Sequence, residues 1–192
     1  YQNLWEEFVP RGYIMVFPKT EAGINVDHQE FGWDLQYLVN KIQDEGNDSN
    51  SPIYNLVANN TALMGHSMGG GSLFLAADSL SDSNIHLKTI VGLAPVESSS
   101  NGVSSIISAS NITIPSLILV GSQDGVAPSN DHQLPMYNNL NSECKTFISV
   151  LGGGHCFFCN PNFFCDFGEA TSSTDIYITR NEQQQITSFF VN

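Results

Sequence analysis

"MGHSMGGG", residues Met64 to Gly71, joins a β-like run, Thr61-Ala62-Leu63, to an apolar helix-like run, Leu73-Phe74-Leu75-Ala76-Ala77. A single serine is flanked by glycines at that junction. Either the stretch is a tight turn that needs small residues, or Ser67 is displayed there for chemistry. Gly69-Gly70-Gly71 would each cost roughly 1 kcal/mol relative to Ala inside a helix, which close packing of helix on sheet explains. Gly65-His66-Ser67-Met68-Gly69 then fits G-x-S-x-G in its required context, strand before and helix after. Such a turn strains the serine's backbone and lifts its hydroxyl clear at the strand's C-terminal end, by the positive end of a helix.

Working outward, the flanking segments alternate between strand and helix patterns. Tyr1, Leu4, Trp5, Phe8 and Val9 form an i, i+3, i+4, i+7, i+8 stripe that predicts an amphipathic helix, ended by Pro10-Arg11-Gly12. The continuous apolar run Tyr13–Phe17 reads as a buried parallel strand. Phe31, Leu35, Leu38, Val39 and Ile42 mark a second helix closed by Gly46. Strands are expected at 61–65, 89–93, 116–120 and 147–151, with helices over 68–80, 129–140 and 181–191. This alternation implies one domain, residues 1–192, with a mostly parallel sheet and helices on both faces. A helix stripe complete at Tyr1 leads us to expect a chain that begins inside the domain, with N-terminal strands missing.

Composition sets the class of partner. Hydrophobic residues make up 41% of the 192 and charged ones 13%, a globular balance. The net charge of −13, with six scattered bases, would be repelled by phosphate backbones, so nucleic acid is excluded as a partner. No run approaches membrane-spanning length and the start shows no signal-peptide pattern, so a mature or trimmed soluble chain is expected. Sequons at Asn47, Asn59 and Asn111 and the abundance of Asn and Ser fit a secreted protein.

A nucleophilic serine needs a base, and the base an orienting acid. In a parallel sheet both must come from loops at the strands' C-terminal ends. His155 qualifies, following strand 147–151 through the flexible Gly152-Gly153-Gly154. His66 adjoins Ser67 but diverges from it on a turn and reads as packing or lining. His28, His86 and His132 match no strand end. For the acid, Asp124 lies just past strand 116–120, on a loop that Pro128 closes by starting a helix. Glu97, past strand 89–93, is the alternative.

The order Ser67, Asp124, His155 resembles the α/β-hydrolase superfamily, a three-layer sandwich. More narrowly, "GHSMGGGSL", "GSQDGVAPSNDHQLPMYNNL" and "GGGHC" resemble the dienelactone-hydrolase-like secreted esterases, a group that includes cutinase-like polyester hydrolases. The resemblance implies a cofactor-free carboxylic ester hydrolase acting on small or polymeric esters. Ser67 would be nucleophile, Asp124 acid and His155 base, with the Met68 N–H one oxyanion donor. The family's second donor would precede Tyr1, and Val96 occupies the neighbourhood of its aromatic clamp. A non-catalytic binding protein of the same fold, or a serine peptidase, would share this pattern. The short Ser-rich stretch between Pro95 and Pro115 is too brief for a cap domain, so an exposed cleft is expected.

"HCFFCNPNFFCDFGE", His155 to Glu169, is the most unusual stretch. His155, Cys156, Cys159 and Cys165 could seat zinc, but a metal on His155 would remove the base, so zinc and triad exclude each other. The related esterases imply a disulfide, Cys156–Cys165, with Cys159–Cys165 the alternative. Cys144 lies about 20 Å away at the far end of a strand, beyond disulfide reach. Phe157 and Phe158 beside the base either fill the stapled loop or wall the substrate cleft.

Overall fold

Four apolar runs pair into one parallel sheet: β1 Thr61–His66, β2 Leu87–Leu93, β3 Ser116–Gly121 and β4 Lys145–Val150, in the order β1-β2-β3-β4. The structure, a computed structural model, describes residues 1–20, 26–81, 87–99 and 102–192; His86 lies outside them. Helices α1 Gln2–Phe8, α2 His28–Asn47, α3 Met68–Leu80, α4 Ser105–Ala109, α5 Gln133–Asn139, α6 Phe163–Ser172 and α7 Arg180–Val191 surround the sheet.

Alternation along the strands sorts the core into two layers. Leu63, Ile90, Ile118, Val120 and Phe147 point to one face, where they meet Leu73 and Phe74 of α3, Val39 of α2, Ala109 of α4 and Met136 of α5. Met64, Val91, Leu93, Leu119 and Ile148 point to the other, against Leu4 and Phe8 of α1, Val191 of α7 and Phe158. Parallel strands added in one direction through same-handed crossovers put α3, α4 and α5 on one side. The result is a three-layer α/β sandwich with the strand C-termini on one rim.

Side-chain caps start several of the helices, α2 and α7 among them. Asp27 accepts the amides of Gln29 and Glu30 at α2, and Thr179 forms a capping box with Glu182 at α7. Gly32 lets α2 approach α3, since a Cβ there would lie 3.2 Å from the Leu75 Cβ.

Three expectations need correction. Tyr13–Phe17 is not a strand: Tyr13, Ile14, Val16 and Phe17 are all exposed, and the run pairs with no strand among the described residues. Gly12, at φ 89°, turns the chain back so that Tyr13 meets Phe8 and Phe17 meets Trp5 edge to ring. Hydropathy marked the run, but a strand also needs a free ladder to join. Second, Pro128 does not start a helix; α5 begins at Gln133. Third, the cysteine stretch contains α6, capped by the Asn162 side chain on the Cys165 amide.

Candidate active site

Ser67 occupies the one-residue turn between β1 and α3 at φ 56°, ψ −124°, a strained conformation for a residue with a side chain. Its backbone is pinned on both sides: the N–H donates to Leu93 C=O at 3.0 Å, and the C=O accepts from Val96 and Gly71 N–H, each at 3.0 Å. The glycines explain how the turn fits. A Cβ on Gly65 would lie 2.2 Å from Gly69 O, one on Gly70 2.8 Å from Pro95 Cα, and one on Gly71 1.9 Å from Val96 O. The close approach is thus between α3 and the strand exit that follows β2. Gly69 differs, with nothing within 4 Å of a Cβ.

The loops after β3 and β4 bring two more side chains to Ser67. His155 Nε2 lies 2.8 Å from Ser67 Oγ, and His155 Nδ1 lies 2.7 Å from Asp124 Oδ2. Both His155 and Asp124 are buried. The second Asp124 oxygen accepts the Ala127 N–H at 2.7 Å, which fixes the carboxylate's orientation and its loop together. A carboxylate on Nδ1 selects the tautomer that leaves Nε2 free to accept the serine proton. Glu97 has other partners. Its Oε2 accepts the Ile106 N–H at 2.9 Å, and its own N–H donates to His132 Nδ1.

His66 braces His155 from beside the serine. Its Nε2 lies 2.9 Å from the His155 carbonyl oxygen, which only accepts, so Nε2 carries the proton. Nδ1 must then accept, and the Tyr1 hydroxyl at 2.8 Å donates to it. Rings of Tyr1, His155 and Phe158 enclose the imidazole. Burial, and secondarily the neighbouring His155, pushes the His66 pKa down to about 3, and burial raises that of the Tyr1 phenol. His28 sits elsewhere, at the start of α2, with Nδ1 2.8 Å from Ser98 Oγ; burial lowers its pKa also.

An open cleft runs over Ser67. His66, Met68, Gly69, Val126 and Phe164 line it beside the serine and histidine. Of the residues expected to contact substrate, His66 borders the cleft, whereas Phe158 is fully buried in the core below α1. The Phe157 ring lies under the Arg180 guanidinium, 5.2 Å from it. Val96 stands behind the Ser67 turn, where its peptide holds the turn in place. Phe31, Val126 and Phe164 were missed. Val126 sits two residues past Asp124, so its position on the same strand-end loop was a usable signal; Phe164 depended on α6, which hydropathy did not reveal.

A disulfide joins Cys156 to Cys165, tying the residue after His155 to α6; Cys144 and Cys159 are free thiols. Among the described residues no group of three or more His, Cys, Asp or Glu is arranged to hold a metal ion. No helix among them is long and apolar enough to cross a membrane.

Comparison with known proteins agrees with this architecture. Cutinase est1 from Thermobifida alba is 32% identical over 157 residues, covering 79% of this chain and 47% of that protein. Cutinase 2 from Thermobifida cellulosilytica is 26% identical over 157 residues, 79% of this chain and 53% of that protein. Cutinase 1 from the same organism is 35% identical over 95 residues, 49% of this chain and 32% of its own length. The chain spans about half or less of the length of these curated relatives. A family model described as PET hydrolase-like matches residues 12–169. The chain, with its serine turn and parallel sheet inside that match, belongs to the PET hydrolase-like family.

Proposed function

We propose that the protein is a serine hydrolase that cleaves carboxylic esters through an acyl-enzyme. The observation that carries this reading is the continuous hydrogen-bonded chain from Ser67 Oγ through His155 to Asp124, at 2.8 and 2.7 Å, on a serine held in a strained turn. Ser67 Oγ attacks the ester carbonyl carbon while His155 Nε2 takes its proton. Asp124 keeps the imidazole oriented and stabilises the imidazolium without taking the proton. The negative oxygen of the tetrahedral intermediate is met by the Met68 N–H, the first amide of α3, which has no partner within the helix. Collapse expels the alcohol with the proton from His155, and water repeats the sequence on the acyl-enzyme.

The cleft supports the substrate class. Met68 and Val126 are 40% and 39% exposed, and Phe164 on α6 is 79% exposed, so the walls are apolar and open at the rim. Such a cleft admits the bulky acyl groups of polymeric esters as well as small ones, in line with the family description. A disulfide beside the base supports work outside the cell.

Fluorophosphonate labelling tests the reading. The wild-type protein should take one label on Ser67 and hydrolyse short p-nitrophenyl esters but not peptide amides. Ser67→Ala should lose both signals, with turnover falling by a factor on the order of 10⁶. A folded wild-type protein that takes no label, or a Ser67→Ala protein that keeps its turnover, would overturn it.

A further inference from the structure

Glu169 on α6 is a buried carboxylate, 4% exposed, with no cation in ion-pair contact among the described residues. Burying an ionised carboxylate without a counter-charge is expensive unless hydrogen bonds replace water. Both of its oxygens are occupied. Oε2 accepts the Cys156 N–H, the amide that follows His155. Oε1 accepts the Ser173 hydroxyl, and Ser173 Oγ in turn accepts the Gly125 N–H at 2.9 Å, the amide that follows Asp124. An apolar side chain could anchor α6 at lower cost. The groups this one reaches lie on the two loops that carry the acid and the base.

Resting on the roles proposed above for Ser67, His155 and Asp124, we infer that Glu169 is a positioning residue: its carboxylate locks the acid loop to the base loop. The lock has a counterpart upstream. The Gln123 N–H donates to Gly153 C=O at 2.9 Å, joining the same two loops just before Asp124 and His155. The Asp124–His155 hydrogen bond therefore sits between two cross-links, one of backbone and one made by Glu169 and Ser173. Two glycines make room for the second. A Cβ on Gly154 would lie 2.7 Å from Glu169 Oε2, and one on Gly125 would lie 1.9 Å from Ser172 O at the end of α6. Each neighbours a member of the Asp–His pair, so the glycines in "GGGH" and "QDG" serve the approach of α6.

The disulfide does not replace this arrangement. It tethers Cys156 to Cys165, joining the base loop to α6, and its bond includes no residue of the acid loop. Without Glu169 the acid loop keeps its upstream link, while its downstream half loses the contact that sets Asp124 against the imidazole. Displacements of about 1 Å in a reacting constellation lower rates by on the order of 10²-fold.

The test compares Glu169→Ala, Glu169→Gln and Ser173→Ala with the wild-type protein. On a short p-nitrophenyl ester, Glu169→Ala should lower kcat by about 10- to 100-fold and leave KM within about twofold. Glu169→Gln keeps the acceptor for Cys156 and a polar group for Ser173, so it should regain most of the loss. Ser173→Ala, at a half-buried position that spares the fold, should fall between them. The low-field proton resonance of His155 Nδ1–H against Asp124 reports the same geometry without turnover. It should persist in the Gln variant and broaden in the Ala variant. A folded Glu169→Ala protein with wild-type kcat and an unaltered resonance overturns the inference, as does a Gln variant no better than Ala. If the wild-type protein neither labels nor turns over, the proposed reaction fails, while the resonance still decides the role of Glu169.

Discussion

At Ser67 the backbone alone sets the geometry: a positive φ, three main-chain hydrogen bonds and glycines that admit the strand exit after β2. At His155 side chains from distant parts of the chain do the same work. Gln183 of α7, fully buried, brackets Gly154 by accepting its N–H at 3.0 Å and donating to its C=O at 2.9 Å. His66 holds the His155 carbonyl and Glu169 the next amide. Main-chain contacts fix Ser67, and side-chain contacts fix His155. The serine half should therefore fail through backbone clashes, and the histidine half through lost side-chain partners.

The largest effect is expected at Gly71. A methyl group there would lie 1.9 Å from Val96 O and 3.1 Å from Ser98 Oγ, against main chain that cannot rotate away. Gly71→Ala should destabilise the fold by about 3 kcal/mol or more, at the upper end of overpacking effects. Urea unfolding measures it. A midpoint within error of wild type would mean that the α3 contact yields, and the contrast between the halves would lose its first leg.

This contrast also explains what could be read directly. Glycines, serine and the strand-to-helix switch lie within eight residues, so the helix bounds Met68–Leu80 and the turn were legible at once. Asp124 and His155 were legible because parallel strands end on one rim, a topological rule that needs only strand positions. Gln183 and Glu169 were not: Gln183 reads as a solvated residue on a polar helix, Glu169 lies on a helix that hydropathy did not reveal, and only tertiary contact gives either a buried partner. Tyr13–Phe17 failed for the reciprocal reason: its hydropathy is that of a strand, but pairing is decided elsewhere in the chain.

The histidine half should show its own signature in acid. His66 is neutral in the folded protein down to about pH 3, whereas in the unfolded chain it takes a proton near 6.5. Between those values unfolding takes up a proton, so stability is lost as pH falls, by up to about 1.4 kcal/mol per pH unit from this group. His28, its pKa also lowered by burial, adds a loss of the same sign. His66→Gln retains an N–H for the His155 carbonyl but cannot titrate. Its urea midpoints at pH 7, 5 and 4 should fall less steeply than those of wild type. Parallel slopes would show that the imidazole is not held neutral.

Reducing the Cys156–Cys165 disulfide, whose partners are 9 residues apart, should remove about 2–3 kcal/mol by freeing the unfolded chain. The local consequence is the sharper test. Amide hydrogen exchange should quicken across 155–173, the segment of His155 and α6, and stay unchanged across the first turns of α3. Equal loosening of both regions would mean that the two halves do not hold independently.

The smallest predicted effect bears on the serine motif itself. Gly65, Gly70 and Gly71 are demanded by contacts under 3.0 Å, but a Cβ on Gly69 meets nothing within 4 Å, and its φ is not positive. Packing and backbone conformation therefore both allow alanine at the motif's last glycine. Gly69→Ala should raise stability by about 0.5 kcal/mol through lower unfolded-state entropy. Gly69 also lines the cleft beside Ser67, so the new methyl would take up space there. Short esters should turn over as before, while KM rises for esters with bulky acyl groups. A lower midpoint would reveal a contact that the open space does not predict. A stabilised variant with unchanged preference for bulky substrates would show that the acyl chain leaves the cleft by another side, past Val126 or Phe164.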